Sequence, residues 1–93
     1  MDETFEWDGK KNLENQLKHR VSFEEAQYAF TDQDRIVLRD TEHSKVEKRY
    51  FCIAKIKKGI ITVRFTYRKK KIRIFGAAFW RAGRKKYLQQ FKK

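Results

Sequence analysis

The chain has 93 residues, a length that supports one small domain with a limited core, so residues 1–93 are expected to form a single domain. The formal net charge is +12, and proline is absent. A lone cysteine excludes an intrachain disulfide and a four-thiolate zinc site, and it is typical of a reducing compartment. The apolar runs are too short to span a membrane, and no signal peptide is recognisable. We therefore expect a cytoplasmic protein.

The charge is distributed unevenly along the chain. Residues 1–47 carry 7 Lys or Arg and all 12 Asp or Glu, whereas residues 48–93 carry 17 Lys or Arg and no acid. Cations at this density repel one another unless an anionic partner binds. The distribution predicts a nucleic acid or an acidic protein as partner. A membrane surface fits less well, because most of the cations fall on predicted strands and not on one amphipathic helix.

The N-terminal part contains two helix signals. FEWD is a short strand or apolar lead-in, and its Asp8 is placed to cap the segment that follows. Leu13 and Leu17 are spaced i, i+4, which predicts a helix with one apolar face. Ser22 and Glu25 have capping-box spacing and predict the start of a second helix.

The remainder alternates in strand fashion before one last helix. Four strand segments are separated by polar or lysine-rich turns: RIVLRD (35–40), KRYFCIAKIK (48–57), IITVRFTYR (60–68) and IRIFGAAF (72–79). WRAGRKKYLQQFKK (80–93) repeats aromatic residues at helical spacing, and we expect Tyr87 and Phe91 to pack on the sheet. The predicted fold is α+β, with two N-terminal helices, an antiparallel β-meander sheet and a C-terminal helix.

Arginines cluster on one side of the predicted sheet. Arg64, Thr66 and Arg68 alternate on one face of their strand, and Arg73 comes from the next strand. The planar guanidinium group donates two parallel hydrogen bonds to phosphate. A solvated sheet face would be expected to pair these arginines with acids, and the basic half of the chain contains none. The pattern therefore favours a phosphate-binding face.

The segment DTEHSKVEKRYF (40–51) holds candidate catalytic groups. RNA cleavage without metal needs a base for the 2′-hydroxyl, cations for the charged phosphorane and an acid for the 5′-oxygen. Glu47 and Arg49 share a strand face, and His43 precedes them in a loop. By spacing alone the cluster also fits a surface salt-bridge group. No metal or cofactor is expected, because no carboxylate pattern accompanies His19 or His43 and no phosphate loop or nucleophile elbow is present.

The ordered segments FEWD, NQLKH, VSFEEA, DTEHSKVEKR, TYR and IRIFGAAFWRAGRKKY resemble the BrnT family of type II toxins over about residues 5–88. The resemblance implies a small ribonuclease toxin with a RelE-like fold. It also implies a ribbon-helix-helix antitoxin of the BrnA type, which represses the shared operon, so that operator DNA is met only through the antitoxin. By position it implies six functional residues: Lys18, His43, Glu47, Arg49, Arg68 and Arg81.

The chain departs from the family pattern at two positions. Many members have Gly after the KH pair, where this chain has Arg20. Many also carry an Arg before the last helix, where this chain has Ala78. Arg81 is then the residue expected to supply the missing cation.

These observations predict a metal-independent endoribonuclease toxin. The expected catalytic residues are His43, Glu47, Arg49, Arg68 and Arg81, with the arginines on the scissile phosphate and His43 or Glu47 transferring protons. The expected RNA-binding residues are Lys18, Arg64, Arg73, Trp80 and Arg84. The alternative is a non-catalytic module that binds RNA or DNA with the same face. A third interpretation, compatible with the first, makes the basic half a dock for an acidic antitoxin segment.

Overall fold

The computed structural model describes residues 4–43 and 45–92, so Ser44 of the predicted loop lies outside the described residues. The described residues form five strands, three α-helices and one 3₁₀ helix. These are β1 (Phe5–Glu6), α1 (Gly9–His19), α2 (Phe23–Ala26), the 3₁₀ helix (Gln27–Thr31), β2 (Ile36–Asp40), β3 (Arg49–Ile56), β4 (Gly59–Arg68), β5 (Lys71–Ala78) and α3 (Arg81–Gln89). The predicted α+β class is confirmed.

The sheet has the strand order β1-β5-β4-β3-β2. Strands β2 to β5 are antiparallel neighbours, as the predicted meander requires. The prediction of a pure meander is wrong, because β1 pairs parallel with β5 and makes the sheet mixed. The turn between β4 and β5 places Lys69 and Lys70 at positive φ, a combination that matches a tight type I′ hairpin turn.

Helix α1 buries its polar side, contrary to the prediction from its leucines. Asp8 caps the helix as predicted, accepting a 2.8 Å hydrogen bond from the backbone N–H of the second helical residue. Leu13 and Leu17, however, are 64% and 86% exposed, whereas Asn12 and Asn15 are buried. The i, i+4 leucine spacing correctly indicated a helix but identified the wrong side as the packed one.

The buried asparagines face inward because they join α1 to neighbouring backbone. The Asn15 side chain donates to the carbonyl oxygens of Val21 and Ala77, both at 2.9 Å, and accepts from the Ala77 N–H at 3.2 Å. Asn12 accepts from the Phe23 N–H at 2.8 Å. Leucine could not satisfy these buried backbone groups, so the amides outweigh the apolar pattern.

The second predicted helix is present but short. The Ser22 hydroxyl accepts from the Glu25 N–H at 3.0 Å while the Glu25 carboxylate accepts from the Ser22 N–H at 3.0 Å, so the predicted capping box is confirmed. The α-helix ends at Ala26 and continues as the 3₁₀ helix. Phe23 and Phe30, one from each piece, are buried against the sheet.

One sheet face forms the main core with these N-terminal elements. Val63 and Phe65 are buried there, whereas Tyr67 on the same face is 57% exposed. Cys52 is also fully buried, and burial raises the pKa of its thiol to about 12. The thiol therefore stays protonated, which excludes it as a nucleophile at neutral pH.

The opposite face is covered at one end by α3. Tyr87 is buried on Ile53 and Ile60, and its hydroxyl donates a 2.6 Å hydrogen bond to the Asp32 carboxylate. Phe91 is 54% exposed, so the expectation that it packs in the core was wrong. This end of the face, with Ile53, Ile60 and Thr62, is called the covered half. The other end, which carries Arg49, Arg64, Thr66, Arg68 and Arg73, is called the open half.

Candidate functional site

The open half is organised by one cross-strand row. Arg49, Thr66 and Arg73 are register partners on three adjacent strands. Asp40 extends the row on one side, opposite Arg49, and Glu6 extends it on the other, opposite Arg73. The prediction that the arginines of β4 and β5 share a face is consistent with this register. The row itself has an acid from the N-terminal half of the chain at each end.

The arginines have carboxylate partners, contrary to the sequence-based expectation. Arg68 donates to both oxygens of Glu47, at 3.1 and 3.4 Å, and Arg49 lies 3.8 Å from the same carboxylate. Arg73 pairs with Glu6 at 3.4 Å. The expectation was wrong because it counted acids near the arginines in sequence, whereas the sheet brings acids from distant segments.

His43 is held by a partner that sequence reasoning did not select. Its Nδ1 atom lies 2.9 Å from Oδ2 and 3.2 Å from Oδ1 of Asp40, which is 5% exposed. The Asp40 carboxylate also accepts from the His43 backbone N–H at 3.3 Å. A carboxylate only accepts hydrogen bonds, so Nδ1 must carry the proton and Nε2 is left for proton exchange.

His43, Glu47 and Arg49 line one surface cleft of about 260 Å³. The structure therefore brings together the three groups that the sequence analysis singled out in the segment 40–51. His43 and Glu47 lie in the loop that connects β2 to β3, and Arg49 is the first residue of β3, so the hairpin of β2 and β3 assembles the cluster.

A bulge in β5 extends this cluster along the sheet. The register between β4 and β5 shifts after Arg64, so that Phe75 has no direct partner between Ile74 and Gly76. The guanidinium carbons of Arg49 and Arg64 lie 4.5 and 5.1 Å from the centre of the Phe75 ring. Two cations from different strands are thereby held over one aromatic ring.

A second cleft, of about 250 Å³, lies between α1 and β5. It contains three of the predicted RNA-binding residues: Lys18, Arg64 and Trp80. His19, which the sequence analysis did not assign to the site, also lines it and contacts the Trp80 ring edge-on with centroids 6.0 Å apart. Because Arg64 belongs to this cleft and contacts Phe75, the two clefts adjoin along the open half.

The two predicted site residues on α3 are not among the residues that line these two clefts. Arg81 is the exposed first residue of the helix. Arg84 lines a different groove, with Tyr87, Leu88 and Phe91. Ala78, at the position of the family's arginine, is buried opposite Thr62 in the covered half. The structure thus does not bring Arg84 to the arginines of the open half.

Within residues 4–43 and 45–92, no group of three or more His, Cys, Asp or Glu side chains is arranged to hold a metal ion. In the same part of the chain, no helix is long and apolar enough to cross a membrane.

Comparison with models of protein families identifies the family of the chain. A model of the ribonuclease toxin BrnT, of type II toxin-antitoxin systems, matches residues 7–82. The chain belongs to this family. Membership in the BrnT family implies an RNA substrate and an antitoxin partner. The comparison with curated proteins found no match.

Sequence reasoning missed two positions that shape the site. Asp40 could have been selected from its D-x-x-H spacing, which puts a carboxylate within reach of a histidine in the turn after a strand. Phe75 could not have been selected, because its position depends on a bulge for which the alternating pattern gives no signal.

Proposed function

We propose that this BrnT-family chain is a metal-independent endoribonuclease. In the proposed reaction a 2′-oxygen attacks the adjacent phosphorus, and the bond from phosphorus to the 5′-oxygen breaks. The products are a 2′,3′-cyclic phosphate and a free 5′-hydroxyl. The observation that carries the proposal is the cleft in which the Glu47 carboxylate, paired with Arg49 and Arg68, lies beside His43.

Arg49 and Arg68 hold the scissile phosphate in this proposal. Both guanidinium groups already converge on one pair of carboxylate oxygens in Glu47. The non-bridging phosphate oxygens offer a similar pair of acceptors, so the same guanidinium groups can donate hydrogen bonds to them as negative charge grows on the phosphorane. Arg64 and Arg73 extend the cationic surface to neighbouring phosphates of the strand.

Glu47 and His43 transfer the protons. The Glu47 carboxylate accepts the 2′-hydroxyl proton beside the arginine-bound phosphate. His43, protonated, donates from Nε2 to the departing 5′-oxygen, and Asp40 at Nδ1 orients the ring and stabilises its positive charge. Asp40 is therefore a positioning residue. This assignment needs no metal ion, because the arginines supply the positive charge.

The antitoxin in this proposal is of the BrnA type and covers the open half. An acidic antitoxin segment would compete with RNA for the same arginines, which explains neutralisation by charge mimicry. Operator DNA is then contacted through the antitoxin, and the RelE-like fold remains a prediction from the resemblance.

The test is cleavage of a long structured RNA in EDTA by the wild-type chain and two variants. Arg68→Ala is expected to lower the rate about 100-fold or more, since it removes a donor from the transition-state charge. Arg84→Ala is the matched control, because it removes an identical charge from a different groove, and its rate should stay within about twofold of wild type.

Product analysis and salt dependence complete the test. Mass spectrometry should find 2′,3′-cyclic phosphate ends, and 3′-hydroxyl ends would contradict the reaction proposed. RNA affinity should fall with salt at a log–log slope of about −0.7 per phosphate contacted. Binding with that slope but no cleavage would favour the non-catalytic module instead.

A further inference from the structure

The cleft between α1 and β5 contains a carboxylate that the proposed reaction does not use. Glu14 lines it beside Lys18 and Arg64. Among the described residues, however, no ion pair includes Glu14. In a chain with a net charge of +12, an acceptor group next to cations but bonded to none of them is open to the donors of a ligand.

The lining of the cleft suits a flat aromatic group. Gly76 and Ala77 line it from β5, and Gly76 adds no side chain to it. A Cβ atom at Gly76 would lie in van der Waals contact with Arg64, 3.4 Å from its Cδ atom, so a larger residue would occupy space beside that side chain. Trp80 also lines the cleft and is 40% exposed, which leaves part of its side chain open to stacking.

The cleft also adjoins the proposed scissile phosphate site. Arg49 belongs to that site and Arg64 to the cleft, and both contact the ring of Phe75. A nucleotide strand with a phosphate on Arg49 would therefore place a flanking base near Trp80 and Glu14.

We propose that this cleft binds one base of the RNA and that Glu14 selects guanine. The inference rests on the proposed function for its choice of RNA as the source of the base. Guanine presents two adjacent donors, N1–H and the N2 amino group, which the two oxygens of one carboxylate accept together. The Watson–Crick edges of adenine, cytosine and uracil lack two adjacent donors. Any base can stack on Trp80, so Glu14 is the residue that distinguishes guanine from the other bases.

The first experiment measures cleavage of short single-stranded oligonucleotides. Each has one ribonucleotide in an otherwise 2′-deoxy strand, which fixes the cut, and the base on either side of the cut is varied through all four. At one of the two positions, guanine should raise kcat/KM about 10- to 100-fold over the other bases, the range for hydrogen bonds to a charged group.

Variants assign that preference to Glu14. Glu14→Gln should lower the rate on the guanine substrate about 10- to 100-fold and leave the other three within about twofold. Asp34→Asn, which removes a carboxylate lining the groove under α3, should preserve the preference. Trp80→Ala should slow all four substrates by a similar factor, and Trp80→Phe should restore most of the rate. Equal wild-type rates for all four bases at both positions would overturn the inference while leaving the proposed nuclease intact.

The second experiment does not depend on cleavage. Isothermal titration with the four nucleoside 3′-monophosphates should give the tightest binding for the guanine nucleotide, and Glu14→Gln should abolish the difference. If no oligonucleotide is cut but this preference is found, the reaction is wrong and the guanine site stands. If the chain cuts RNA but neither cleavage nor titration distinguishes guanine, the site is refuted.

Discussion

The covered half and the open half of the sheet use the same strands but carry opposite kinds of side chain. Along β4, the residues that point to this face are Ile60, Thr62, Arg64, Thr66 and Arg68, so one strand passes from apolar to basic within ten residues. Helix α3 packs over the first two, and the arginines beyond it remain accessible. The difference shows how a small chain obtains both stability and a charged site from one face.

The boundary between the halves coincides with an irregularity in the sheet. The register of β5 on β4 shifts after Arg64, and this bulge directs both Phe75 and Gly76 toward the arginines. In a regular strand, two neighbouring residues would point to opposite faces of the sheet. If the two halves have these separate roles, changes in the open half should affect RNA cleavage with little effect on folding stability. Changes in the covered half should affect folding stability with little effect on RNA cleavage.

After Arg68→Ala, the largest effect is expected from Asp40, which lies opposite Arg49 at the edge of the open half. Asp40→Asn should lower kcat about 10- to 100-fold with little change in KM, because His43 loses the carboxylate that orients its ring and stabilises its charge. The measurement is steady-state cleavage together with thermal unfolding. In a His43→Ala background the same change should have no further effect on the rate, whereas an equal further loss would mean that Asp40 acts only on the structure.

A change in the covered half should destabilise the chain without altering RNA affinity. A Cβ atom at Gly83 would overlap the hydroxyl of Thr62, so Gly83→Ala should cost about 1–3 kcal/mol of unfolding free energy by urea denaturation. Adding Thr62→Ala should recover most of the loss, because the hydroxyl is removed and the remaining Cβ of residue 62 lies 3.5 Å away. If the double variant recovers no stability, the Thr62 hydroxyl is not the group that limits how closely α3 approaches the sheet.

Local rules identified most of the elements from the sequence. The Ser22 capping box, the Asp8 cap and the alternation of β4 depend on neighbours within a few residues, and all three are present in the structure. The predictions that were wrong depended on contacts between residues that are distant in the sequence. Nothing near Asn15 in the sequence shows that its amide meets the backbone of Ala77, so the leucines appeared to be the packed side.

The candidate site divides in the same way. His43, Glu47 and Arg49 lie within seven residues of one another, so their association could be predicted from one segment and is present in one cleft. The partner of Arg68 lies 21 residues away in sequence. That pairing could not be predicted without the register of β3 on β4.

A pH dependence of the unfolding free energy, of intermediate size, is expected from Asp32, whose carboxylate accepts a hydrogen bond from Tyr87 of α3. Burial raises the pKa of Asp32, but hydrogen bonds from the Lys55 N–H, the Tyr87 hydroxyl and the Asp34 N–H outweigh it, so the pKa lies below its ordinary value of 3.8. The carboxylate therefore adds stability above that ordinary value, and the contribution is lost as the pH falls through the lower native pKa.

Asp32→Asn tests this contribution. The variant should be less stable than wild type at pH 7 in urea unfolding, and the difference should shrink as the pH is lowered below about 4. Asp34→Asn is the control, since its carboxylate accepts none of the three bonds. A difference for Asp32→Asn that stays constant down to pH 2 would exclude the ionised carboxylate as the cause.

The smallest effect is expected at Arg20, which ends α1 next to the base cleft but lies outside both halves. Its φ of 58° is in the left-handed region, where a side chain is strained and glycine is not. Arg20→Gly should raise the free energy of unfolding by about 0.5–1 kcal/mol. This is the strain energy that glycine relieves, minus the entropy cost of ordering glycine, which is more flexible in the unfolded chain. Its carbonyl still accepts from Lys58, because that bond uses backbone oxygen.

Cleavage by Arg20→Gly should remain within about twofold of wild type, because the Arg20 side chain lines neither the His43 cleft nor the Glu14 cleft. Arg20→Ala is the matched control: it removes the same charge but keeps a Cβ in the left-handed conformation, so it should not gain stability. Equal stabilisation by alanine and glycine would mean that relief of charge repulsion, and not of backbone strain, is responsible. The glycine that many family members carry here would then need an explanation other than helix termination.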